Sequence, residues 1–224
     1  NILPENQKSP TLYKGNFFHK IVDDSAKRKM NGQHDTLEQL KKIAKSKWNP
    51  REYIGYSEQR ENQDRKTVEE IVEEYHKWDK QNPNTIVGAE IDMDIKIGKY
   101  IIDGKIDRVE KDPDGEYVIV DYKTGGKNKE ITNLNESLQL NIYAMGLKAK
   151  KKFGKLPKLI SYFYPEKEGQ QIFSYEVNQT DIDNTKRKLE EFLKSIDDGE
   201  FGADPNMKKC GWCDYKDLCD ESQA

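Results

Sequence analysis

Residues 104–123 read GKIDRVEKDPDGEYVIVDYK. Within this stretch Asp112-Pro113-Asp114-Gly115 places Pro where its fixed φ is accepted and Gly where a positive φ is tolerated, so the flanking segments are predicted to pair as an antiparallel hairpin. Asp107 falls on the first strand, and Asp121 and Lys123 fall on the second. Side chains alternate faces along a strand, so Asp121 and Lys123 share one face while Tyr122 enters the opposite layer. A suitable register adds Asp107 to them. Two carboxylates and a lysine at one sheet edge suit phosphodiester hydrolysis: the acids hold one or two hard divalent cations, and the lysine neutralises the phosphate or helps deprotonate the attacking water.

Gly104-Lys105-Ile106-Asp107-Arg108 followed by Val118-Ile119-Val120-Asp121-Tyr122-Lys123-Thr124-Gly125 resembles the signature of the PD-(D/E)XK nucleases. The resemblance is to their RecB-like branch, with GxxDR and then a hydrophobic strand ending in DYKTG. It implies a magnesium or manganese cofactor held by Asp107, Asp121 and the Tyr122 backbone carbonyl, with Asp107, Asp121 and Lys123 catalytic. Gly15-Asn16-Phe17-Phe18-His19 matches the G-x-x-x-H element of the family's first helix, which makes His19 a metal ligand; read alone, His19 is a half-buried helix histidine. Glu90 matches a glutamate one strand before GxxDR that supports the metal site, and is otherwise an exposed strand residue. Gln139 and Tyr143, four residues apart on a helix, share a face. They match the family's Q-x-x-x-Y element, which lines the site and contacts DNA or orients the catalytic groups; without that match they are a polar pair packed on the sheet.

The chain has 224 residues, enough to bury a core without disulfides or structural metals. Charged residues make up 35% and hydrophobic ones 34%, which describes a folded but highly solvated protein. No apolar run approaches a membrane span and no signal peptide is visible, so no membrane association is expected. The sequence starts at Asn1 without an initiator Met, as expected of a piece of something longer. A net charge of -3 gives no global support to nucleic-acid binding, so any basic surface is local. The candidates are Lys27 to Lys29, Lys41 to Lys47, Lys148 to Lys155 and the loop from Lys123 to Lys129. The first three read as solvated faces, and the last borders the proposed metals.

In chain order, helices are predicted over 12–30, from Asp35 or Thr36 to 47, and over 67–80. Strands follow over 86–94, 100–109 and 117–123, then a helix over 135–152 and a strand over 159–164. The order αβββαβ is an α/β, restriction-endonuclease-like core with a mixed central sheet. An edge strand over 172–177 and a helix over 181–195, capped by Thr180, complete the pattern. The expected organisation is one nuclease domain over 1–224. Its parts are an N-terminal helical extension (1–63) carrying His19, the core (64–178), and a C-terminal helix with a cysteine segment (179–224). His34 and His76 match nothing and read as surface residues.

Cys210, Cys213 and Cys219 are the only cysteines and lie within ten residues, a distribution unlike a secreted disulfide scaffold, so a reducing, cytoplasmic setting is expected. Three thiolates leave a tetrahedral zinc or an iron-sulfur cube one ligand short. In the iron-sulfur subset of RecB-like nucleases a fourth cysteine precedes the first helix, which here implies a 4Fe4S cluster completed by a residue upstream of Asn1. The resemblance implies a magnesium- or manganese-dependent exonuclease on single-stranded DNA ends, the nuclease part of a helicase-nuclease in DNA repair, with a helicase motor in the same polypeptide. A CRISPR-associated exonuclease relative and a catalytically dormant DNA-binding domain are the alternatives.

Overall fold

A computed structural model describes residues 9–125, 131–200 and 202–223. Three helices come first: α1 (Pro10–Met30), α2 (Leu37–Lys47) and α3 (Glu58–Gln81), with a short 3-10 turn at Pro50–Tyr53 between the last two. Each begins at a side chain that satisfies the open N–H groups of its first turn. Ser9 caps α1, Thr36 forms a capping box with Gln39 on α2, and Ser57 caps α3. These caps set the starts of α1 and α3 at Pro10 and Glu58, earlier than the predicted 12 and 67, where apolar periodicity alone had marked them.

Strands β1 (Thr85–Ile97), β2 (Tyr100–Lys111) and β3 (Tyr117–Tyr122) follow, then α4 (Leu138–Ala149), β4 (Leu159–Phe163), β5 (Ile172–Glu176), α5 (Gln179–Asp197) and a short α6 (Met207–Trp212). The αβββαβ order and the mixed sheet are as predicted. Strands lie in the order β1-β2-β3-β4-β5, with β3 and β4 parallel and every other pair antiparallel. The β2–β3 turn closes where expected: Gly115, at φ 84, donates to the Asp112 carbonyl at 2.9 Å, and the Glu116 amide donates to Asp112 Oδ1 at 2.8 Å. Helix α5 is capped by Asn178 rather than Thr180, because the Asn178 side chain accepts the Asp181 amide.

Two apolar layers enclose the sheet. Phe18 and Ile21 of α1 and Val68, Val72 and Tyr75 of α3 pack on Val118, Val120 and Tyr122. Leu140, Ala144 and Leu147 of α4 and Ile182 of α5 pack on Ile106, Ile119 and Ile160. The alternation along β3 therefore sends Tyr122 towards α1 and α3, and Asp121 to the α4 side.

The strand pair β1–β2 breaks this alternation at one level. Ile106 packs in the α4 layer, while Arg108, two residues on, reaches Trp78 and Tyr75 of α3. Across the ladder, Glu90 sits between the pairs Ala89↔Arg108 and Ile91↔Ile106, opposite Asp107, with a left-handed φ of 48. Such a φ is uncommon for a non-glycine residue and strains the backbone by about 1–3 kcal/mol. The kink coincides with the acid of the GxxDR element.

Candidate active site

The β2–β3 register pairs Arg108 with Val120, which sets Asp107 opposite Asp121 at the end of the ladder. There Asp107 replaces a main-chain partner: the Tyr122 amide donates to Asp107 Oδ2 at 2.9 Å. The same oxygen lies 3.4 Å from His19 Nδ1, which α1 brings over the strand ends. Lys123 Nζ stands 2.7 Å from Asp121 Oδ2 and donates to Gln139 Oε1 at 2.6 Å. Gln139 Nε2 in turn donates to the Tyr143 hydroxyl at 3.0 Å, one turn further along α4. Two bonded strings result, His19–Asp107–Tyr122 amide and Asp121–Lys123–Gln139–Tyr143, and they meet where Asp107 stands opposite Asp121.

Burial sets the electrostatics of these strings. The Asp121 side chain is 2% exposed, and its Oδ2 faces the Lys123 ammonium at 2.7 Å. Desolvation, helped by the Asp107 charge, pushes the Asp121 carboxyl up to about 6; Lys123 and His19 oppose the rise. For His19 burial works against the cation. The hydrogen bond and charge of Asp107, with the charge of Asp121, outweigh it and raise the imidazole above its ordinary range. Tyr143 is likewise driven up, by burial and then by Asp121 and Asp107, and so keeps its proton.

Several supports of this site were not foreseen. Gly15 allows α1 to approach the loop after β3: a Cβ there would lie 2.9 Å from Thr124 Oγ1. The next peptide is held from elsewhere, because the Gly125 amide donates to Glu166 Oε1 at 2.7 Å, and Glu166 pairs with the buried Lys14 at 3.4 Å. Behind the sheet, Arg108 is fully buried between Glu110 (2.6 Å), Asp79 (2.7 Å) and the face of Trp78 (4.7 Å to the ring centre). Spacing along the chain carries no signal for Lys14, Glu166 or Asp79, which are distant in sequence and meet only in the fold.

Other predicted residues lie elsewhere. The Glu90 carboxylate faces Lys27 at 3.5 Å and Lys105 at 3.9 Å, so it meets cations although its backbone is opposite Asp107. His34 is exposed and His76 half-buried, both lining a separate cleft with Lys29 and Asp79. The basic clusters are tied down rather than simply solvated: Arg28 binds Asp35, Lys29 binds Asp79, Lys41 binds Glu73 and Lys150 binds Asp94. Residues 126–130 of the basic loop lie outside the described residues.

Comparison with known proteins bears on the family. The sequence profile of the PD-(D/E)XK nuclease superfamily matches residues 2–220. The chain belongs to that superfamily. No curated protein matches the sequence. Among solved structures, this PD-(D/E)XK chain resembles one described as "Putative exonuclease" from Eubacterium rectale, with a TM-score of 0.50 and 19% identity over 96% of this chain and 76% of the other. A second, SSO0001, aligns with a TM-score of 0.42 and 16% identity, covering 93% and 98% of the two chains. At 19% identity the likeness to the first speaks to fold alone. Among the described residues no helix is long and apolar enough to cross a membrane.

Carboxylate oxygens from Asp107 and Asp121 are the donor type that hard divalent cations accept, and His19 adds an imidazole beside Asp107. Among the described residues these groups are not gathered as a ready three-ligand cluster, since Lys123 and His19 themselves occupy the carboxylates. Cys210 is buried while Cys213 and Cys219 are exposed, and among the described residues the three thiols are not gathered as a ligand set.

Proposed function

We propose that this nuclease is a RecB-like, magnesium- or manganese-dependent deoxyribonuclease that removes nucleotides from single-stranded DNA ends. The observation that carries the reading is the Lys123 ammonium, fixed between Asp121 at 2.7 Å and Gln139 at 2.6 Å beside the Asp107 carboxylate. His19, Asp107, Asp121 and the Tyr122 carbonyl would hold the cation. When bound, it supplies Lewis-acid stabilisation to the phosphoryl oxygens.

The side chains account for the rest. Gln139, anchored by Tyr143, keeps the ammonium pointed at the strand ends, so Lys123 neutralises the phosphate and orients the water for in-line attack. The burial that raises the Asp121 pKa also keeps competing water away from its carboxylate. The same reading takes 1–224 as one nuclease domain joined to a helicase motor, and this last point rests on the motif resemblance alone.

The test uses 5′- and 3′-labelled single-stranded and duplex DNA, together with circular single-stranded DNA, in magnesium or manganese. Release of short products from one end of the linear single strand is expected, with circles left intact. Cutting of circles would replace the exonuclease reading with an endonuclease.

A further inference from the structure

Next to Lys123 lies a cleft of about 280 Å³ that the site as described does not use, walled by Tyr162 and Tyr164 and closed by Asn133, Leu134 and Ser137. Its position follows from register. Tyr162 of β4 pairs with Asp121 of the parallel β3, so its ring leaves the sheet at the level of the acid, and Lys123 Nζ lies 4.9 Å from the ring centre.

The aromatic wall is fixed from several sides. The Tyr162 hydroxyl and Ser137 Oγ are 2.9 Å apart, which ties the ring to the first turn of α4. Tyr164 meets Tyr162 at 5.8 Å with planes 70° apart and is braced in turn by Phe173 at 6.1 Å. The rim is polar, from Thr132, Asn133 and Glu136. A rigid aromatic wall, a polar rim and a cation at the mouth suit a flat, partly polar ring attached to a phosphate.

We propose that this cleft receives the unpaired base of the nucleotide beside the scissile phosphate, stacked against Tyr162. The inference rests on the nuclease reading above and adds to it the source of single-strand selection. A phosphate engaged by Lys123 carries its base one sugar away, on the side where Tyr162 stands. An unpaired base enters without cost, whereas a paired one must first leave its stack and its partner. Every base presents a π face, so the cleft admits all of them and selects strandedness rather than sequence.

The test walks a single abasic position through a labelled single strand and reads cutting at nucleotide resolution. Base–aromatic stacking lost on truncation corresponds to roughly 5- to 150-fold. Cutting by the unmodified protein is therefore expected to slow by that factor at the one step that brings the abasic position into the cleft. In Tyr162→Ala every step slows and the abasic pause disappears; Tyr162→Phe, which keeps the ring, retains the pause. A role of Tyr162 only in holding Lys123 predicts equal slowing on intact and abasic strands. Independently of cutting, 2-aminopurine walked through the strand is expected to be quenched at one position from the end in chelator, and not in Tyr162→Ala. Uniform passage of the abasic position by the unmodified protein overturns the cleft while leaving the nuclease intact. Failure to bind or cut the intact strand overturns the nuclease reading, and the cleft with it.

Discussion

Asp121→Asn separates what the site does for function from what it costs the fold. Held at about 6 rather than at its ordinary 3.8, an ionised Asp121 costs the folded state about 3 kcal/mol, at 1.36 kcal/mol for each pH unit. The sign follows from a raised acid: the unfolded chain ionises first. Stability tied to Asp121 is therefore fully present below pH 3.8, is lost as pH rises through about 6, and stays lost above it. Asparagine removes this cost. Lys123 keeps the Gln139 oxygen and the Tyr162 ring as neighbours and, at 28% side-chain exposure, keeps contact with water. In chelator at pH 7.5, Asp121→Asn should be more stable than the parent by about 3 kcal/mol, or roughly 6–12 °C in Tm for a chain of this size. The gap should close as the pH falls from 6 to 4. Urea denaturation and thermal melts at stepped pH measure both quantities. Equal or lower stability of the variant at pH 7.5, or a gap that persists at pH 4, would refute the desolvation argument. The variant should also lose the stabilisation that added manganese gives the parent.

Three further substitutions test the supports. Gly15→Ala gains about 1 kcal/mol in helix propensity but drives a methyl to 2.9 Å from Thr124 Oγ1. Its Tm should change little while kcat falls about tenfold, and adding Thr124→Ala should restore the rate. Arg108→Met leaves Asp79 only Lys29 and leaves the buried Glu110 only the neutral donors Asn82 and Asn84, and should cost about 3 kcal/mol by urea denaturation. Glu166→Ala removes the acceptor of the Gly125 amide and the partner of Lys14, and should lower kcat with KM nearly unchanged. Glu166→Gln keeps the amide acceptor and should recover most of the rate, as steady-state kinetics on one oligonucleotide would show.

The elements of the core and the face carrying Asp121 and Lys123 were legible because both rest on short-range periodicity. A two-residue alternation places Tyr122 behind the sheet, and a spacing of four places Gln139 over Tyr143. Helix starts were less legible: the polar first turns of α3 carry no apolar stripe and only the cap at Ser57 marks them, while α1 opens two residues early on the Ser9 cap. The left-handed Glu90 was not legible at all, since glutamate disfavours that conformation and tertiary packing imposes it. Lys14, Glu166 and Tyr162 share this property. Each matters through a neighbour from another element, and no periodicity links Lys14 to Glu166 or Tyr162 to Lys123.

The most direct test of the central claim, that Asp107, Asp121 and Lys123 form a cutting centre, is degradation of end-labelled single-stranded DNA by the parent and by Lys123→Ala, each with manganese and with chelator. Cutting that needs the ion and falls at least a hundredfold in a variant with an unchanged melting profile is the expected result. Undiminished cutting by Lys123→Ala, or cutting by the parent that persists in chelator, would contradict it.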